Sequence, residues 1–375
     1  MDKDVEELLS RGVVEVIGRD KIEEKIFSGK KLRVKLGIDP TSPNIHIGHA
    51  VSLMKLRDFQ KLGHQVVLII GDFTAVIGDT SDKDSERPML SRETIEENKK
   101  SYFEQAGKII DLNNAELRHN SEWLEPLTYR EIGEHANLFG VSDFISRDNI
   151  KRRLDAGKRV SLREVLYPLM QGFDSVAVEA DVELGGLDQK FNLLAGRVLQ
   201  EYHKQEPQSI VMSSLIPGLD GRKMSKSYGN DVPLTDSPEN MYGKIMSLAD
   251  SEVGIYFEYC TRVPSQEYKE VLVGHPKDAK TRLAFEITKI YHREKAAKKA
   301  QENFEETFAK GGIPKDIKTA TAQSDESLVD VLLREGIVSS KTEFNRLNKE
   351  GAITEIESGV YRVGKHRFLK IVISD

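Results

Sequence analysis

Two short runs, residues 32–36 (Leu-Arg-Val-Lys-Leu) and 66–70 (Val-Val-Leu-Ile-Ile), flank a segment with apolar residues at Ile45, Val51, Leu53, Leu56 and Phe59. The second run is apolar throughout, the pattern of a strand buried on both faces. Strand, helix and strand in this order form a right-handed crossover, which makes the two strands parallel neighbours. This one unit restricts the chain to the α/β class and locates a ligand beyond the carboxyl ends of the strands. Gly37-Ile38-Asp39-Pro40-Thr41 is expected as the turn leaving the first strand. Ser42 is then the expected N-cap, Pro43 the first helical residue and Gly63 the stop.

His46-Ile47-Gly48-His49 lies at that carboxyl end. It sets two imidazoles one turn apart where helix N–H groups and the macrodipole favour an anion. Capping or surface histidines, or a metal-ligand pair, are the competing explanations, although no acidic residue makes this an H-E-x-x-H pattern. No G-x-G-x-x-G follows the first strand, which speaks against a dinucleotide-binding dehydrogenase. Far downstream, Lys223-Met224-Ser225-Lys226-Ser227 occupies a glycine-flanked loop. Alone it would read as solvated surface. Together, two imidazole donors and two mobile cations point to ATP chemistry at the α-phosphate, whose oxygens gain charge as phosphorus becomes five-coordinate. Gly48, lacking a side chain, lets an adenine ring lie against the helix backbone.

A second helix is expected from the capping-box spacing of Ser161 and Glu164. Along it Tyr167, Gln171 and Asp174 recur at i, i+4 and i+7 on one face, while Leu166, Leu169, Met170, Phe173 and Val176 leave little of the circumference polar. A buried line of hydroxyl, amide and carboxylate needs partners, and a ligand supplies them. Asp79 ends a glycine-bounded turn after the second strand, where a carboxylate suits an ammonium group. Gly185-Gly186-Leu187-Asp188-Gln189 is expected to end a strand over 181–184 and to open a helix with Asp188 as N-cap.

These motifs resemble the class I aminoacyl-tRNA synthetases, and within them the bacterial tyrosyl-tRNA synthetases, over nearly the whole chain. The resemblance implies catalytic roles at ATP for Thr41, His46, His49, Lys83, Arg87, Lys223 and Lys226. It implies nucleotide contacts from Gly37, Asp39, His46, Gly48, His49, Asp188 and Lys226, with Asp188 on the ribose. Tyrosine would be held by Asp79, Tyr167 and Gln171 at its ammonium, Gln189 at its carboxylate and Asp174 at its phenol. Thr80 and Asp82 depart from the Pro and Gly common in the ATP loop, and Leu187 from a small hydroxyl residue. Lys35 stands where some members carry a tyrosine that helps to grip the phenol, which leaves the second partner of that hydroxyl open.

By the same resemblance, residues 1–231 form a Rossmann-like parallel-sheet catalytic domain with a helical insertion at 98–158. That insertion is the expected homodimer interface and carries Trp123, expected as a buried aromatic. An α-helical anticodon-recognition domain and linker follow at 232–322, then a small α+β RNA-binding module at 326–375. Such an enzyme joins tyrosine to tRNA(Tyr) through tyrosyl-adenylate, using Mg²⁺ with ATP and no organic cofactor. A tryptophan enzyme of the same subclass is the near alternative, because an aspartate also accepts an indole N–H. A nucleotidyltransferase and a synthetase-derived RNA-binding protein are the more distant ones.

A length of 375 residues fits several domains, and a net charge of −6 confines any RNA contact to a region. The final module offers one through Arg346, Lys349, Arg362, Lys365, Arg367 and Lys370. There, Ser340 and Glu343 predict a capped helix ended by Gly351, and strands are expected over 352–357, 360–363 and 367–373. Gly311-Gly312-Ile313-Pro314 and the polar tract to Asp325 predict a linker. The single cysteine, Cys260, precludes an intrachain disulfide. The charged start is unlike a signal peptide and no apolar run spans a bilayer, so a cytoplasmic location without membrane contact is expected.

Overall fold

The computed structural model describes residues 2–81, 85, 89–225, 228–306, 317–323, 326–338, 340–364 and 367–374. Six strands form the larger sheet: β1 (Glu15–Ile17), β2 (Arg33–Ile38), β3 (Gln65–Ile70), β4 (Ala115–His119), β5 (Val182–Gly186) and β6 (Ser209–Ser213). Their order is β1-β6-β5-β2-β3-β4, parallel throughout except for β1 against β6. β2 and β3 pair in register from Arg33 opposite Gln65 to Ile38 opposite Ile70, with helix Ile47–Lys61 crossing between them. Burial of the last five residues of β3 explains its unbroken apolar sequence.

The crossover helix begins at Ile47, four residues later than Pro43, and His46 rather than Ser42 is its N-cap. The intervening segment is held extended by Gln105. Its Oε1 accepts from Ile45 N at 2.8 Å, and its Nε2 donates to the Pro43 carbonyl at 3.0 Å. Ser42 Oγ is directed to the Asn44 carbonyl at 3.1 Å. Similarly, β2 continues through Gly37 and Ile38, so these two residues belong to the strand and the turn begins after them. β5 continues through Gly186, and a 3-10 turn, Leu187–Gln189, precedes helix Lys190–Tyr202. Asp188 is therefore inside that turn and is not an N-cap.

Residues 98–158 contain the short helices Tyr102–Ala106, Ser121–Leu124, Tyr129–Ala136, Val141–Ile145 and Asp148–Asp155, but also β4, which extends the sheet beside β3. One continuous apolar core joins one face of the sheet to helices Pro238–Met246, Val253–Cys260 and Pro276–Phe304, while smaller clusters around Val67 and Ile69 and around Ile210 and Met212 cover the opposite face. Cys260 is buried in it, and desolvation pushes its thiol well above the usual range.

A second sheet, ordered β7-β10-β9-β8, comprises β7 (Thr319–Gln323), β8 (Ile353–Glu357), β9 (Val360–Val363) and β10 (Arg367–Ser374). It encloses its own core of Val331, Leu332, Leu347, Val363 and Leu369 with helices Leu328–Arg334 and Lys341–Lys349. Ser340 caps the latter helix as expected, accepting from Glu343 N at 3.1 Å. β7 arises from the tract expected to be linker. Its Thr-Ala-Thr-Ala-Gln alternation buries Ala320 and Ala322 and pairs parallel with β10. Residues 311–316, 324 and 325 of the expected linker, with Asp82, Ser227 and Lys365, lie outside the described residues. No helix among the described residues is long and apolar enough to cross a membrane.

Candidate active site

The two motif loops meet at the carboxyl ends of β2 and β3. His46 forms an isolated antiparallel bridge with Pro233, flanked by Ile47 N to the Val232 carbonyl at 2.9 Å and Leu234 N to the Ile45 carbonyl at 2.9 Å. The strand-like segment leaving the lysine loop is thereby sewn to the start of the crossover helix. Contact is closer still at Gly48, where an added Cβ would lie 3.2 Å from Met224 Sδ. Asn230 clamps the loop from behind. Its Oδ1 accepts from Ser225 N at 2.8 Å, and its Nδ2 donates to the Lys223 carbonyl at 3.1 Å and Asp220 Oδ1 at 2.8 Å. Lys223 is exposed at the loop edge. Lys226, like Lys83 and Arg87, lies outside the described residues.

His46 and His49 stack with ring centroids 3.9 Å apart. His46 Nδ1 accepts from Gly48 N at 3.1 Å, and His49 Nδ1 faces His46 N at 3.5 Å. A ring nitrogen that accepts puts the proton of the neutral imidazole on Nε2, so each ring has a donor for an anion. Capping and donation are thus compatible uses of one ring.

The polar face of helix Leu162–Ala177 is turned to the same end of the sheet. Ser161 N donates to Glu164 Oε1 at 2.9 Å, completing the expected capping box, and Arg153 grips the same carboxylate at 2.5 and 3.1 Å. Tyr167 Oη donates to Asp39 Oδ2 at 2.8 Å, and Thr74 Oγ1 to Asp39 Oδ1 at 2.7 Å. Asp39 therefore joins the helix to the loop that carries Thr41, whose N–H closes onto the Asp39 carbonyl at 2.8 Å. Burial, then the charge of Asp39, raise the Tyr167 phenol far above its usual range, which keeps it a donor.

Gln171, Asp79 and Gln189 fall into one network. Gln189 Nε2 donates to Asp79 Oδ2 at 2.5 Å, while Asn192 Nδ2 faces Gln189 Oε1 at 3.2 Å and Gln171 Oε1 at 3.0 Å. Ser81 secures the other Asp79 oxygen through its N–H at 3.0 Å and its hydroxyl at 2.6 Å. Asp174, 3% exposed, accepts from Trp123 Nε1 at 2.8 Å and from Asn120 Nδ2 at 3.4 Å.

A family model described as tRNA synthetases class I (W and Y) matches residues 28–309. The tyrosine–tRNA ligase of Thermotoga maritima is 45% identical over 97% of this chain and 96% of its own length. That of Moorella thermoacetica is 43% identical over 97% and 94%. The chain belongs to the tyrosyl branch of the class I tRNA synthetases. Among solved structures, a C-terminally truncated mitochondrial tyrosyl-tRNA synthetase of Coccidioides posadasii superposes with a TM-score of 0.65 at 25% identity, over 80% of this chain and 91% of that one. The Archaeoglobus fulgidus tyrosyl-tRNA synthetase, solved with L-tyrosine, shares the fold with a TM-score of 0.63 at 21% identity, over 80% and 99%.

In this synthetase, burial pushes the Asp174 carboxyl up to about 7. The Lys35 charge and the donors on Trp123 and Asn120 limit the rise, to which the Glu183 charge adds. Trp123 is thus a hydrogen-bond donor to Asp174 as well as a partly buried aromatic, packed on the cluster of Val67, Ile69, Val178 and Ala180. Asn120, Asn192 and Asn230 were not legible as site residues, because a lone asparagine near a turn has the same local signal as a loop. Thr80 also finds its explanation. It is buried, its carbonyl accepts from Asn149 Nδ2 at 2.7 Å, and its side chain helps to hold Glu164 in its ionised form. Gly37 is exposed at the cleft, where an added Cβ would meet nothing within 4 Å. Asp188 Oδ1 sits against Gly186, so a side chain at that position would displace the Asp188 carboxylate.

Proposed function

We propose that this synthetase activates tyrosine with ATP and then esterifies tRNA(Tyr). A tyrosine carboxylate oxygen attacks the α-phosphorus, the bond to the β-phosphate oxygen breaks, and tyrosyl-adenylate and pyrophosphate form. The terminal ribose hydroxyl of the tRNA then attacks the tyrosyl carbonyl and AMP leaves. The observation that carries this reading is the Tyr167–Asp39 hydrogen bond of 2.8 Å, which joins the amino-acid helix to the nucleotide loop. It supports a site where both substrates lie side by side, with catalysis through positioning and charge stabilisation.

Within it, Asp79, Tyr167 and Gln171 receive the ammonium, Gln189 the carboxylate and Asp174 the phenol. Gly37, Asp39, Thr41, Gly48 and Asp188 lie along the nucleotide. His46, His49, Lys223 and Lys226, with Lys83 and Arg87, neutralise the departing pyrophosphate. ATP enters as its Mg²⁺ complex, the ion being part of the substrate. The exposed apolar residues Tyr129, Val141 and Leu154 suit a homodimer contact through the insertion. The helices after residue 231 suit anticodon recognition, and the second sheet, with Arg346, Lys349, Arg362 and Lys370, suits tRNA binding in a cytoplasmic enzyme.

ATP–pyrophosphate exchange with tyrosine, tryptophan and phenylalanine tests this directly. Tyrosine-dependent exchange is expected, and exchange with tryptophan alone overturns the reading. In single turnovers, Lys226→Ala should slow adenylate formation far more than it weakens tyrosine binding, and unchanged rates would remove Lys226 from the mechanism.

A further inference from the structure

Lys35 and Glu183 are paired directly across the parallel strands β2 and β5, at 0% and 1% side-chain exposure. Their charged atoms are 2.9 Å apart. Lys35 Nζ also donates to Ser175 Oγ at 2.7 Å and to the main-chain carbonyl of Gln171 at 3.0 Å, which occupies its three hydrogens. Glu183 Oε2 accepts from Ser175 Oγ at 3.1 Å and Gln208 Nε2 at 2.5 Å, and its Oε1 accepts from Gln171 Nε2 at 3.2 Å. A buried pair with nearly every donor and acceptor filled is costly to build, and a pair of apolar residues often does as well for stability. Its position suggests another use.

Gln171 has a primary amide, whose two ends differ only in being donor or acceptor. With a carboxylate on one side, the N–H end must face Glu183, because the reverse orientation would set two oxygens against each other. The Gln171 carbonyl oxygen then points the other way, to the Asn192 amide. At the far end of the network Asp79 fixes Gln189 in the same manner. Two carboxylates thus orient two amides so that both carbonyl oxygens converge on one nitrogen donor, at 3.0 and 3.2 Å. Reversal of the Gln171 amide would break that convergence.

We propose that the buried Lys35–Glu183 ion pair is a positioning element that locks the Gln171 amide with its carbonyl oxygen toward the α-ammonium of the amino-acid substrate. The proposal rests on the reading of Gln171 as an ammonium ligand. Lys35 pairs with Glu183 at 2.9 Å in the core, and touches no substrate atom itself.

The test is the double variant Lys35→Met/Glu183→Gln of the full-length enzyme, in which residue 183 can offer Gln171 either a donor or an acceptor. Two competitive inhibitors of exchange are compared, tyrosinol, which keeps the ammonium, and 3-(4-hydroxyphenyl)propanoate, which lacks it. Tyrosinol should weaken about ten-fold while the propanoate stays within about two-fold, the scale of one charge-assisted hydrogen bond. Glu183→Gln alone is the second variant, and should give the same split on a less stable background. Equal weakening of both inhibitors, or of neither, overturns the positioning role. Gln171→Leu, read in the same assay, separates the two claims. Loss of tyrosinol there but not in the pair variants refutes the pair alone. No loss in any variant refutes the Gln171 assignment and the proposal with it.

Discussion

Replacement of Asp174 by Asn should make this enzyme both more stable and less selective. The ordinary aspartate value is near 4, and burial pushes the Asp174 carboxyl up to about 7, so ionising it in the fold costs on the order of 4 kcal/mol. A carboxyl raised in the folded state contributes stability that is complete below its unfolded value. That contribution is lost as pH rises through about 7. Asn mimics the protonated form and suffers no such loss. Wild type and Asp174→Asn should therefore have similar stability near pH 4 and diverge above it, the variant gaining about 2–3 kcal/mol between pH 5 and pH 8. Any constant penalty from the altered contact with Asn120 is common to both pH values and cancels. Trp123 is the sole tryptophan of the chain and touches residue 174, so its emission in urea unfolding reports this region. In parallel, exchange assays should show the preference for tyrosine over phenylalanine lost in the variant. A stability gap that stays constant from pH 5 to pH 8, or an unchanged preference, would refute a strained, ionised acceptor at this position.

Trp123→Phe removes the 2.8 Å donor to Asp174, and should weaken tyrosine by about ten-fold in exchange and move the pH onset of tyrosine binding upward. Arg153→Met leaves Glu164 buried without its bidentate partner, and should cost about 3–5 kcal/mol in thermal or urea unfolding. Because Arg153 and the Ser161 N–H outweigh burial and hold Glu164 below its ordinary value, that deficit should be full at neutral pH and shrink as acid protonates Glu164. Asn230→Ala releases the lysine loop from Ser225 N and the Lys223 carbonyl, and should slow adenylate formation on the order of ten-fold with tyrosine affinity unchanged in equilibrium titration.

The βαβ unit and the capped amino-acid helix were legible because their signals are local: an unbroken apolar run, a one-sided polar face and a Ser-x-x-Glu box. The start of the crossover helix was misread for the opposite reason. Ser42 and Pro43 make a good local cap, but Gln105, some sixty residues on, holds 43–45 extended and transfers the cap to His46. β4 and β7 lack apolar runs, one being half-buried throughout and the other burying only alanines, so neither stands out from loop. Lys35 falls on the face of β2 opposite to Val34 and Leu36, and nothing local marks it as buried. Its burial follows from helix Leu162–Ala177 lying over that face and from β5 pairing beside β2, contacts set by residues about 140 positions away. Motif side chains that the structure brings together were therefore readable as a group, and those that orient them were not.

That division explains how the site can be complete before a substrate arrives. Asp79 is satisfied by Gln189 and Ser81, Gln171 by Asn192 and Glu183, and Tyr167 by Asp39. Bound as proposed, tyrosine would exchange such contacts for charge-assisted ones, so little would have to be reorganised on binding. Asp174 differs. A carboxylate offers about four acceptor positions, and Trp123 and Asn120 use two of them. If Asp174 receives the phenol as proposed, the hydroxyl adds a third donor without displacing either, whereas phenylalanine would close the pocket over the carboxylate and give it nothing. The desolvation that makes Asp174 costly in the free enzyme is then the same term that penalises the wrong amino acid. On the proposed assignment, selectivity for the hydroxyl and strain in the fold cannot be separated at this residue, and relieving one must relax the other.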